Sequence, residues 1–115
     1  MRIVEQLRKP KSIDNHLSMI NFHRRELEPI LKIYGQMVSS GECRDYSISS
    51  SFSSAIFSVF RRSTETPLYM IVKTPKLSKR GGMYSVIAMN GQIIKQGKDL
   101  NRVLQILNKK LFKIV

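Results

Sequence analysis

Few residues in this chain have the type and spacing for covalent chemistry. Cys43 is the one cysteine, and His16 and His23 are the two histidines. A thiolate nucleophile needs a proton acceptor beside it, and nothing in the spacing of these three brings them together. Nor do they make a metal-ligand pattern. The segment GECRDY, residues 41–46, packs Glu42, Arg44 and Asp45 together. Paired carboxylates divide acid and base roles when their environments separate their pKa values. In a strand, however, Asp45 points away from Arg44 and Tyr46, and its plainer role is as a cap or a partner of Arg61 or Arg62. Lys79-Arg80-Gly81-Gly82 lacks the spaced glycines and the strand-loop-helix setting of a phosphate cradle. These readings assign no catalytic residue, no metal and no cofactor, and they place enzymatic function behind binding.

Charge is the stronger signal. Twenty Lys and Arg stand against eight Asp and Glu, a formal +12. Residues 1–20 are net +2 and residues 21–50 are neutral, whereas residues 51–115 carry twelve bases and two acids. An excess of this kind speaks of partners and solubility, not of fold. It points to nucleic acid, an anionic membrane surface or an acidic protein.

The elements that must hold these charges follow from periodicity. Leu27, Ile30, Leu31, Tyr34, Met37 and Val38 recur at helical spacing. Pro29 belongs in a first turn, so the regular helix is expected to begin near Glu26, with Gly41 as its left-handed stop. Period-two segments follow at 44–49, 55–62, 68–74, 83–89 and 92–96, with the serine run 47–54 turning between the first two. Asn90-Gly91 predicts a hairpin with a two-residue turn. Leu100, Val103, Leu104, Leu107 and Leu111 mark a second amphipathic helix, N-capped by Asp99. This basic helix could lie on an anionic membrane, but the sheet needs it as cover. The order helix, strands, helix predicts an α+β two-layer sandwich: an antiparallel sheet of four to five strands with both helices on one face. Residues 1–20 read as a loosely ordered arm, and 21–115 as a single domain.

Several blocks carry a family resemblance: YGQMVSSGECRDYSI, IFSVFRR, PLYMIVKTPKL, GMYSVIA and GQIIKQGKDLNRVLQIL. Together, over roughly residues 22–115, they resemble a family of short bacterial proteins classed as a domain of unknown function. The resemblance implies no activity, cofactor or site. Where that family usually has tryptophan this chain has Cys43, a departure that speaks against a shared thiol mechanism. The strongly basic character is a second departure.

The expected function is therefore a non-enzymatic basic domain that binds nucleic acid or ribonucleoprotein through phosphate contacts. The expected contacts are Arg61, Arg62, Lys73, Lys76, Lys79 and Arg80, with Tyr69 and Tyr84 as stacking rings on a shared sheet face. Arg62 and the loop after Lys73 fall at opposite edges of an up-and-down sheet, so a continuous patch needs curvature or help from Lys95, Lys98 and Arg102. The alternative is an interaction module that docks an acidic protein by a sheet face or strand edge. A single cysteine suggests a reducing, cytoplasmic setting. No apolar stretch is long enough to suggest integral membrane association, and oligomeric state is left open.

Overall fold

The structure, a computed structural model, describes residues 18–62 and 66–114, with side chains to Lys109. Most of the expected N-terminal arm, residues 1–17, lies outside the described residues. Helix α1 spans Arg24–Ser39 and begins where His23 closes it. Nδ1 of His23 accepts the Arg25 amide at 3.0 Å, and Glu26 returns Oε1 to the His23 amide at 2.6 Å. This reciprocal cap satisfies donors that the first turn would leave unpaired. It also moves the helix start two residues upstream of Glu26, so that Pro29 sits inside the helix rather than in its first turn.

Five strands follow: β1 (Asp45–Ser50), β2 (Ala55–Phe60), β3 (Tyr69–Lys73), β4 (Tyr84–Ala88) and β5 (Ile93–Gly97). They lie in the order β1-β2-β3-β4-β5, every neighbour antiparallel. Helix α2, Leu100–Ile114, closes the chain, and Asp99 caps it by accepting the Asn101 amide at 3.0 Å. The expected two-layer α+β sandwich is thus the observed one. Opposed residues in an antiparallel pair share a face. The register therefore places Tyr46 and Ile48, Phe57 and Val59, Tyr69 and Ile71, and Tyr84 and Val86 on one inner face. Ile30, Ile33 and Met37 of α1 and Leu100, Val103, Leu104 and Leu107 of α2 are buried there with Phe57, Val59, Ile71 and Val86.

Two connections depart from expectation. Residues 75–80 form a 3-10 helix instead of an open loop. Between β4 and β5, Gly91 donates to the Ala88 carbonyl and Ala88 to the Gln92 carbonyl, both at 2.8 Å. The loop is thus three residues long, with Gly91 at φ +88° supplying the left-handed position.

The inner-face assignment makes a direct test. Phe57→Ala is expected to lower the unfolding free energy by about 3–5 kcal/mol. Phe52→Ala, at a residue 63% exposed, is expected to change it by less than about 0.5 kcal/mol. Urea titration followed by circular dichroism measures both, and equal losses would contradict this packing.

Candidate nucleic-acid interface

One row of the sheet organises the basic residues: Ala55 pairs with Lys73, Lys73 with Tyr84, and Tyr84 with Gly97. The 3-10 helix Pro75–Arg80 leaves this end of β3 and returns to β4. Pro75 supplies a preset φ at its start, and Gly81 ends it at φ +73° with its amide bound to Ser78 and Leu77 carbonyls. Residues three apart eclipse on a 3-10 helix, so Lys76 and Lys79 project on one side. Lys76, Lys79 and Arg80 are all exposed.

Beside them lies an open depression of about 690 Å³ lined by Gly81, Lys95, Gly97, Lys98, Asp99 and Arg102, among others. Gln96 Nε2 donates to the Gly82 carbonyl at 3.2 Å and ties β5 to the end of the 3-10 helix. Among the described residues, the 3-10 helix and the lining of the depression supply six bases, Lys76, Lys79, Arg80, Lys95, Lys98 and Arg102, against one acid, Asp99. Asp99 is itself divided. Oδ1 caps α2, while Oδ2 lies 4.0 Å from Arg102 Nε with both side chains largely exposed, a pairing that neutralises little.

The expected contact residues separate into three groups. Lys76, Lys79 and Arg80 belong to this pole. Arg61 and Arg62 are exposed but follow Phe60, at the far ends of the strands, about 20 Å or more from the row through Lys73. Lys73, Tyr84 and Tyr69 share one face, as expected, but it is the face that the helices cover. Lys73 Nζ donates to Glu26 Oε1 at 2.8 Å and to the Asn21 carbonyl at 2.9 Å, and the Tyr84 hydroxyl donates to Glu26 Oε2. Tyr69 is half-buried against the core. Lys95, Lys98 and Arg102, expected only as help in bridging a patch, line the depression itself. Their signal was their place after the Asn-Gly turn, which folds β5 back toward the row.

The inner cluster has its own electrostatics. Burial raises the pKa of Glu26, but the hydrogen bonds from Lys73, Tyr84 and the His23 amide, with the Lys73 charge, outweigh it and hold the carboxyl below its ordinary value. Burial, then the bond to Glu26 and its charge, pushes the Tyr84 hydroxyl above the usual tyrosine range. Burial, with the charge of Glu42, raises the Cys43 thiol to about 11. Cys43 and His23 flank opposite ends of α1, roughly 24 Å apart along its axis, so they form no nucleophile-base pair. Asp45 accepts the Tyr46 amide at 2.8 Å rather than pairing with Arg61 or Arg62. Among the described residues no three His, Cys, Asp or Glu gather to hold a metal, and no helix is long and apolar enough to cross a membrane.

Fold and surface together define a small α+β protein with a basic pole at one end of a meander sheet. Residues 20–104 match the model of the family described as protein of unknown function (DUF2794), and the chain belongs to that family. No curated protein and no solved structure matches it.

The folded pKa of Glu26 lies below the unfolded carboxylate value of about 4.3. Its contribution to stability is therefore complete above that value and is lost as pH falls through the folded pKa. Tyr84 runs the other way: its contribution is complete below about pH 10 and is lost as pH rises through the folded value. Glu26→Ala leaves Lys73, 13% exposed, buried without its carboxylate, an expected loss of about 3 kcal/mol at neutral pH. The variant's stability should also fall less steeply than the wild type's as pH drops below about 4. Urea unfolding across pH measures both, and parallel profiles would remove Glu26 from this role.

Proposed function

We propose that this protein binds nucleic acid, alone or within a ribonucleoprotein, through phosphate contacts at the basic pole, and performs no chemistry on it. The observation that carries this reading is the placement of two basic segments distant in sequence at one end of the sheet: 76–80 in the 3-10 helix that Gly81 ends, and Lys95, Lys98 and Arg102 in the open depression that Gly81 also lines, where Asp99 is the one acid among the described lining residues. Phosphate contacts need charge density more than exact geometry. Among the described residues that line the depression none is aromatic, and Tyr69 and Tyr84 belong to the inner face, so binding rests on the backbone of the nucleic acid and not on base stacking.

Fluorescence anisotropy with labelled single-stranded RNA, duplex RNA and duplex DNA over a salt series tests the proposal. Wild-type affinity should fall with salt with a log-log slope of about −3 to −5, the range for four to six phosphate contacts. Lys79→Glu/Arg80→Glu/Lys98→Glu should abolish binding while the variant stays folded, and Arg61→Glu/Arg62→Glu should retain most of it. Absence of binding, or equal loss in the two variants, would overturn the assignment; binding of an acidic protein in its place would favour a docking module.

A further inference from the structure

A second depression, of about 270 Å³, opens between α1 and α2. Each helix lines it with residues at positions i, i+3, i+4 and i+7, running from Pro29 to Gln36 on α1 and from Asn101 to Asn108 on α2, the spacing of a single helical face. Ile33 and Leu104 are only 4% and 5% exposed, so the bottom of this groove is apolar. Its sides are four carboxamides, Gln36, Asn101, Gln105 and Asn108, the first three of them exposed. Lys32 joins them, and no acid stands among the described lining residues. A carboxamide holds an acceptor and a donor side by side. The groove is therefore built for directional hydrogen bonds, where the pole is built for charge.

The two depressions meet on α2. Arg102 and Val103 line the basic one, and Asn101 and Leu104 line the groove. Both start from the first turn of the helix, so no more than about one helix diameter, 10–12 Å, separates them there. A strand held by its phosphates at the pole has its neighbouring bases within reach of the carboxamides.

We infer, on the reading that the pole binds nucleic acid, that the groove between α1 and α2 receives an unpaired base of a single strand and reads its edge. The chemistry matches: base edges present donors and acceptors next to one another, and Asn and Gln engage such a pair bidentately. Only a single strand meets the requirement, because its bases splay out and free the edges that pairing occupies in a duplex. The size matches as well. Drug-sized ligands fill pockets of roughly 300 Å³ and upward, and this smaller groove suits one flat ring entering edge-first. Affinity then stays with the phosphate contacts, and selectivity comes from the carboxamides.

Fluorescence anisotropy with two labelled strands of equal length tests this: a single-stranded DNA of mixed sequence, and an abasic strand that keeps every phosphate and lacks every base. Wild type should bind the base-bearing strand at least about 5-fold more tightly, the low end for one bidentate base contact. Gln36→Ala/Asn101→Ala/Gln105→Ala should bind both strands equally, at the wild-type affinity for the abasic strand and with the wild-type salt slope. Alanine suits a helix, so its far-UV circular dichroism should be unchanged. If the triple variant fails to fold, Gln105→Ala alone should show a reduced preference. Gln92→Ala, which removes an exposed carboxamide beside the β4-β5 loop, should behave as wild type. Failure of wild type to bind either strand would overturn the phosphate reading and this inference together. Equal wild-type affinity for the two strands, or a folded groove variant that keeps the preference, would overturn the groove alone and leave the phosphate contacts standing.

Discussion

The carboxylate of Glu26 is the group on which the layering turns. A carboxylate withdrawn from water is unfavourable unless its oxygens are answered by donors. Here the answers come from three separate places: the His23 amide before α1, Lys73 at the end of β3 and the Tyr84 hydroxyl at the start of β4. Each bond is local to one atom, but together they place the start of α1 over one row of the sheet. Burial of Ile30, Ile33 and Met37 then seals the rest of the helix along the inner face. The hydrophobic effect supplies the driving force and has no direction of its own; the carboxylate supplies the position.

This placement also sorts the charge. Lys73 is neutralised inside, so its strand contributes no base to the surface, and the excess of the second half of the chain moves to the connections at the ends of the strands. The 3-10 helix gathers Lys76, Lys79 and Arg80, and the β4-β5 hairpin returns Lys95, Lys98 and Arg102 to the same end. The pole is therefore a product of topology. Had Gly91 not allowed the tight reversal at φ +88°, the two basic segments would have no reason to lie at the same end of the sheet.

Much of the fold was legible because its signals are local. Period-two alternation marked all five strands to within two residues at either end, Asn90-Gly91 marked a hairpin, and Asp99 marked the start of α2. What escaped depends on partners far along the chain or on unusual local chemistry. Histidine is not a favoured N-cap residue, so His23 gave no reason to begin α1 before Glu26. A lysine at a strand end reads as surface, and Lys73 meets its carboxylate 47 residues away. Proline suits a 3-10 start as well as an extended loop, so Pro75 could not distinguish them. The same limit applied to the site: Lys76, Lys79 and Arg80 were readable as a cluster, but their union with Lys95, Lys98 and Arg102 required the register of β4 on β5.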